Sequence, residues 1–498
     1  MLPRVKVNVT EEEFIQNNIE VDLIPAVILK TKTGPIGTVE TIRSEAEFIK
    51  LFGEGDSTTP SAYGIAAYLR SYQYILVTRI AADSAAKATA TLNVCDAEGH
   101  EITVADKKVP LIGITSDYKT AMFNGSEVSV KYNSDKQKLY IEAVLNGTTY
   151  TSVQETLDIS TATAVTYEAA LKKVVNSFNQ IGCGITIETL YKDKIATDTV
   201  PVAAALQTIN LESGDSGLGS ITTTAIKTAM DLYTKKGMFI DILLTPDFNN
   251  YEVVNYGAQL AEEFDFMFLS NVTGSTYDAI VTGLENYVNS NSLALYFPDV
   301  YYTDPSIKVP AQIAALHAYA KTDSIYRWLA PAGTNRATLS LVQSVDADLS
   351  DIDQGKLYDL SKPVNCINYI SGYGYTVWGQ KTTGSTNTYS NRINVARLIK
   401  FLKRSLYNIS FNYLFEPITN ATFKDWKAKT TLLLDQLVAG SAISDYSAIM
   451  DSTNNTDDTV RNHELHGYVR IKPVGVAEFI DIDLTLTNEI TEITVTSE

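Results

Sequence analysis

The stretch that decides the fold is GMFIDILLT (237–245), YEVVNYGAQLAEEF (251–264), DFMFLS (265–270), TYDAIVTGLENYVNS (276–290), LALYFPDVYY (293–302) and VPAQIAALHAYAKTD (309–323). The first, third and fifth segments are short and almost continuously apolar, as strands buried on both faces must be. The other three are longer and read as helices. Alternation of strand and helix in this order predicts a mostly parallel sheet covered by helices on both sides.

Upstream, VDLIPAVILKTKTGPIGTVETIRSEAEFIKLFGEG (21–55) reads as a buried strand, a Gly-Pro turn and a short helix opened by the Ser44/Glu47 capping pattern. SAYGIAAYLRSY is helical and YILVTRIA is a central-type strand. From Asp83 to Ile195 the composition shifts to Thr/Ala/Asn-rich strands, with turns at Asn124-Gly125 and Asn146-Gly147. This predicts a mainly β domain inserted into the first. At the N-terminus, Val5, Val7 and Val9 alternate with Arg4, Lys6, Asn8 and Thr10. A lone strand needs an edge to pair with, in its own chain or in a neighbour.

Downstream, NRINVARLIKFLKRSL (391–406) carries five basic residues and no acidic one in a chain of net charge −18. On a helix, Val395, Leu398, Ile399, Leu402 and Leu406 form an apolar stripe. Arg397, Lys400 and Arg404 fall opposite, with Ile393 and Phe401 among the basic residues. TFKDWKAKTTLLLDQLVAGSAI is a second helix ending near Gly440. Two strand-like runs close the chain, GYVRIKPVGVAEF and FIDIDLTLTNEITEITVTSE; the tail from Ala477 holds six acids and no base.

A length of 498 residues predicts several domains, and 45% hydrophobic with 20% charged residues is globular. No apolar run reaches 18 residues, so no membrane span or membrane insertion is expected. The N-terminus lacks a continuous apolar core and does not read as a secretion signal. Strong acidity disfavours nucleic acid as a partner. Three scattered cysteines (Cys95, Cys183, Cys366) fit neither a disulfide framework nor a zinc site and suit a reducing cytoplasm.

Catalytic candidates fail on their surroundings. GDSG (214–217) matches a serine-nucleophile tetrapeptide, but only His100 precedes it, in a turn-like AEGHEIT, so a flexible loop is the better reading. His463 and His466 are three apart, not the four of a helical zinc motif. Asp346, Asp348, Asp351 and Asp353 lack calcium-loop spacing and read as a solvated helix start or loop. No phosphate-binding G-x-x-x-x-G-K-[ST] occurs. The expectation is a protein without catalytic residues, cofactor or metal, and not an enzyme.

Taken as one block, residues 260–380 resemble the contractile tail sheath proteins of bacteriophages and related injection machines. The resemblance lies in LAEEFDFMFLS, then LALYFPDVYY, then VPAQIAALHAYAKTDSIYRWLAPAG, and in CINYISGYGYTVWGQKTT, which is similar to the family's Asn-x-Ile…Gly…Trp-Gly…Thr signature. GPIGTVETIRSEAEFIKLFG resembles its opening segment. The chain departs at Ser324-Ile325, where the family has Gly before Trp.

The resemblance implies a structural subunit that polymerises as hexameric rings or a six-start helix around a tail tube and contracts to drive the tube through an envelope. Its implied partners are further copies of itself, the tube protein, and baseplate and tail terminator proteins. Its implied location is the virion, assembled in the host cytoplasm. The fold class expected is α/β plus α+β: a central mostly parallel sheet, an inserted β-rich domain and a C-terminal α+β domain with strand-exchange arms. The expected boundaries are 1–22 for the N-terminal arm, 23–82 for the first part of the core, 83–195 for the inserted outer domain, 196–384 for the central α/β domain, 385–476 for the inner domain and 477–498 for the C-terminal arm.

Arg4, Val5, Lys6, Val7 and Val9 form one implied exchange strand, and Glu489, Ile490, Glu492, Ile493 and Val495 the other; their opposite charges favour hetero-pairing. Arg397, Lys400 and Arg404 are expected to contact an acidic stripe on the tube. Rival readings are the sheath of a bacteriocin or secretion apparatus, a β-rich adhesin disfavoured by the absent signal, and an α/β hydrolase disfavoured by the absent triad.

Overall fold

Eight strands build the central sheet: Pro25–Leu29 (β1), Val39–Ile42 (β2), Ile75–Arg79 (β3), Ile242–Leu244 (β4), Met267–Asn271 (β5), Leu293–Phe297 (β6), Val364–Ile370 (β7) and Gly374–Trp378 (β8). Their order is β2-β3-β1-β4-β5-β6-β7-β8. The six inner strands are parallel, and β2 and β8 flank them antiparallel. The structure is a computed structural model and describes residues 23–95, 100–104, 106–191, 207–235, 238–384 and 389–478.

Side chains alternate across a strand. Val27, Leu29, Ile242, Leu244, Leu269 and Tyr296 enter one apolar core. Ala26, Ile28, Leu243, Phe268 and Leu295 enter a second. Both faces are dry, which is why these strands read as unbroken apolar runs. The helices are Glu45–Phe52 (α1), Pro60–Leu69 (α2), Tyr251–Glu263 (α3), Tyr277–Leu284 (α4) and Ala311–Asp323 (α5). Residues of α1, α2 and α5 fill the first core and those of α3 and α4 the second.

Local chemistry sets the helix starts. Ser44 accepts from the Glu47 N–H at 3.2 Å, while the Glu47 carboxylate turns to the Arg43 N–H and not back to Ser44. Asn250 caps α3 by accepting from the Val253 N–H at 3.0 Å. Within α3, a Cβ at Gly257 would stand 2.6 Å from the Phe268 ring, so only glycine lets the helix approach β5 this closely. The LALYFPDVYY run is divided: after β6, Val300–Tyr301 joins a small antiparallel sheet with Lys308–Val309 and Ser344–Val345.

Between β3 and β4 the described residues build two larger sheets and a small pair, Thr103–Val104 with Lys107–Lys108. One orders Ile185–Thr189, Pro110–Ser116 and Thr89–Asn93; the other orders Thr148–Thr151, Lys138–Leu145, Glu127–Asn133 and Gln207–Asn210. Helix Ala164–Asn179 packs with both into a third core. Because Gln207–Asn210 pairs with Glu127–Asn133, this β structure extends past the expected boundary at 195. Bridges Ala86↔Asp215 and Thr89↔Glu212 tie the outgoing and returning connections together. Asn146 and Gly147, both at positive φ, form the expected exposed hairpin turn. Asn124 differs: its amide exchanges two hydrogen bonds with Gly214, so Asn124-Gly125 is clamped to the returning connection and is no free turn.

GDSG is also fixed in place. Ser216 Oγ donates to the Lys32 carbonyl and accepts from the Ala121 N–H. Its carbonyl joins those of Gly34 and Lys119 around the fully buried Arg79 guanidinium. The expected flexible loop is thus a packed junction, held by a buried cation that three carbonyls solvate.

The chain divides into two compact units between Phe411 and Asn412. The expected division at 385 is displaced because Ile393–Phe411 (α6) belongs to the first unit. The second unit contains Asn420–Ala439 (α7) and an antiparallel pair, Ile443–Ile449 (β9) and Tyr468–Pro473 (β10). Thr419 caps α7 by accepting from the Thr422 N–H, and Gly440 ends it.

Candidate functional site

Helix α6 is covered on both sides along its first half, with every residue from Ile393 to Leu398 buried. Ile393 and Ala396 contribute to the first core. The expectation that Arg397, Lys400 and Arg404 form a solvated face open to a tube is therefore corrected. These side chains close over carboxylates and carbonyls of their own unit.

Arg397, 4% exposed, donates through Nη2 to both oxygens of Asp323 at 2.6 Å. Its guanidinium also lies over the Tyr319 ring. Arg404 Nη1 donates to Asp241 Oδ1 at 3.0 Å, and Arg327 Nη1 reaches the same oxygen at 2.8 Å. The other Asp241 oxygen accepts from the Ile24 N–H at 2.9 Å, which ties the start of β1 to the cluster. Lys400 Nζ donates to Ser292 Oγ at 2.7 Å and to the Ala261 carbonyl at 3.1 Å. Lys403, further out, pairs with Asp265 at 2.7 Å.

Burial by itself would raise the Asp241 carboxyl, but the guanidiniums of Arg327 and Arg404 outweigh it and hold it well below the usual carboxylate range. Burial works against the Arg397 charge, and Asp323 beside it restores that charge. Lys400 lacks a carboxylate partner, so burial pushes its ammonium down to about 8. A small cavity of about 10 Å³ lies among Asp241, Asp265, Arg327, Arg397, Lys400 and Arg404. The cluster is a structural anchor: it fixes α6 to the C-terminal end of α5 and to the strand entries at Ile24 and Asp241.

Asp241, Asp323, Arg327 and Ser292 were missed from sequence. Two left a signal. Asp241 is a carboxylate inside the apolar run FIDILL, and Asp323 sits at a helix C-terminus, where the dipole disfavours an anion. Each calls for a buried cation.

A second feature lies in the C-terminal unit. β9 and β10 pair with each other, and among the described residues each keeps its outer edge unpaired. Such an edge is a template for another strand. The expected exchange strands, Arg4, Val5, Lys6, Val7 and Val9 and Glu489, Ile490, Glu492, Ile493 and Val495, lie outside the described residues, as do both terminal arms apart from Ala477 and Glu478.

No protein-family model matches the chain. Over 223 residues, 44% of this chain, it is 26% identical to the tail sheath protein of Vibrio phage KVP40. Over 189 residues, 37% of this chain, it is 30% identical to the tail sheath protein of Enterobacteria phage T4. The matches span 31% and 28% of those relatives, less than a third of their length. The crystal structure of the sheath tail protein of Desulfitobacterium hafniense superposes with a TM-score of 0.59 at 13% identity, covering 89% of this chain and 93% of that one. The fold is that of the contractile sheath proteins. A contracted sheath complex of the extracellular contractile injection system PVC agrees over 98% of this chain and 99% of its own, with a TM-score of 0.56 at 14% identity.

Within this sheath fold the motif residues are held in contacts of their own unit. Ser216 is committed to Lys32 and Ala121, and His466 pairs with Glu464. Asp351 and Asp353 occupy the first turn of a helix capped by Ser350. Among the described residues no group of three or more His, Cys, Asp or Glu is arranged to hold a metal ion. No helix of the described residues is long and apolar enough to cross a membrane.

Proposed function

We propose that this chain is a structural subunit of a contractile phage tail sheath, polymerising as hexameric rings or a six-start helix around a tail tube and contracting to drive it through the host envelope. The observation that supports this most is the sheath fold running through both units, with an open two-stranded sheet in the second. In this reading, residues 4–10 of one neighbour and 489–495 of another add to the β9–β10 sheet, main-chain hydrogen bonds supplying affinity and alternating side chains the register. Tube, baseplate and terminator proteins are the further partners, and the virion is the site of action. Arg397, Lys400 and Arg404 act in it by holding α6 in place.

Negative-stain microscopy of the purified full chain tests the reading. Rings or hollow tubes are expected, with a variant lacking residues 1–10 remaining monomeric. A parent chain that stays monomeric across salt and concentration overturns it. The alignment with an injection-system sheath over 98% of this chain supports a second reading, the sheath of a bacteriocin or bacterial secretion-type contractile injection system. Microscopy of the native particles separates the two by the presence of a DNA-filled head.

A further inference from the structure

We propose that the cavity beneath α6 is a binding site for a single-atom inorganic anion, chloride in a cell. The inference concerns one copy of the chain and is independent of sheath assembly. Four cations, Arg327, Arg397, Lys400 and Arg404, line the cavity against two carboxylates, Asp241 and Asp265. Widening the circle adds Lys403, Asp323 and the exposed Glu262, and cations still outnumber acids. The carboxylates at hand are engaged: Asp241 by two guanidiniums, Asp323 by Arg397, Asp265 by Lys403 and Glu262 by Ser290.

One donor is left over. Arg397 is 4% exposed, lines the cavity, and its buried Nη1 has no hydrogen-bond partner among the described residues. A buried, unpaired N–H of a charged group is costly, and so is an uncompensated charge in a poorly solvated place. Water would satisfy the donor and leave the charge excess. A monoanion answers both.

Size selects the ligand. The centre of a water-sized sphere has about 10 Å³ to move in, so the cavity takes one small ligand. Chloride is only slightly larger than water and asks for the least rearrangement of the lining, whereas sulfate, phosphate and carboxylates ask for more. An anion here also acts on Lys400, whose ammonium burial has weakened, by favouring its protonated form.

The test uses the full chain. Crystals soaked in bromide are expected to show an anomalous peak within about 3.5 Å of Arg397 Nη1. In solution, replacing sodium gluconate by sodium chloride at constant ionic strength is expected to raise the unfolding midpoint by about 2–4 °C. Arg397→Lys keeps the charge opposite Asp323 but removes the second donor, and should lose most of that increment. If that variant does not fold, Lys400→Met, which removes one lining cation, should lose at least half of it. Absence of the bromide peak, equal midpoints in the two salts, or a full chloride increment in the folded variant each overturns the proposal.

Discussion

The eight-stranded sheet of the first unit and the two-stranded sheet of the second differ most in what their edges meet. The outer strand β8 is covered by the segment from Gly333 to Leu339: Gly333 N–H donates to the Val377 carbonyl, Val377 N–H to Ala337, and Leu339 N–H to Tyr375. Residues of β1, β3, β4, β5 and β6 are buried throughout. Along β10, by contrast, exposed and half-buried residues alternate and none is buried. A two-stranded pair is marginal in water and needs a helix or a third strand. The first sheet is closed by its own chain at the β8 edge, while β2 ends it at the other; the second is two strands backed by α7. Within one sequence, the two sheets thus differ in how much of each the chain itself covers.

The largest way to break this contrast is at the anchor. Asp241→Leu leaves Arg327 and Arg404 buried without their shared carboxylate and should lower the stability of the first unit by about 3–5 kcal/mol. Urea denaturation followed by the tryptophan signal reads this, and a loss under 1 kcal/mol would show that the anchor is dispensable. Next, Trp426→Ala removes a buried ring of α7 that packs against Gly467 and should cost the second unit about 3 kcal/mol. Calorimetry should show one transition moving and the other staying; a joint shift would mean that the two units unfold together.

A smaller effect concerns Asp299, which accepts the Ala311 N–H at the start of α5. Burial pushes this carboxyl up to about 6, with Lys308 lowering it and Asp346 raising it. The folded chain then holds this proton more tightly than the unfolded chain. The group's contribution to stability is full below the unfolded value near 4 and declines as pH rises through 6. Asp299→Asn keeps an acceptor and removes the charge, so it should stabilise by about 1–2 kcal/mol at pH 7.5 and have little effect at pH 4. A gain of equal size at both pH values would place the effect in packing.

The smallest effect sharpens the comparison inside the first unit. A four-residue Gly/Ser insertion at Asn146-Gly147 should change stability by less than about 0.5 kcal/mol. The same insertion at Asn124-Gly125 should cost about 1–2 kcal/mol through its two bonds to Gly214. Thermal melts of the two variants distinguish them directly.

Much of the fold was legible because it is local. The apolar runs at 242–244, 267–271 and 293–297 and the cap at Ser44 carry their own signals. The role of α6 was not. Its helical spacing gave the direction of each cation, but not what each one meets: Arg404 and Asp241 are 163 residues apart in the chain, and Arg397 and Asp323 are 74 apart. A charged face looks the same on paper whether it meets water or buried carboxylates. Asn124-Gly125 failed for a related reason, since its partner Gly214 lies 90 residues on.

The bridges Ala86↔Asp215 and Thr89↔Glu212 also bear on how the chain is made. β1 pairs with β3 on one side and β4 on the other, yet residues 80–241 separate β3 from β4. At ~5–20 residues per second, a ribosome needs roughly 10–30 s to deliver β4 after β3. During that interval the intervening β structure can form from contacts within itself, and its closing bridges bring the two ends of the excursion together. The chain then meets its parallel partner across a short effective loop. The long detour ceases to be an entropic burden before the central sheet is assembled.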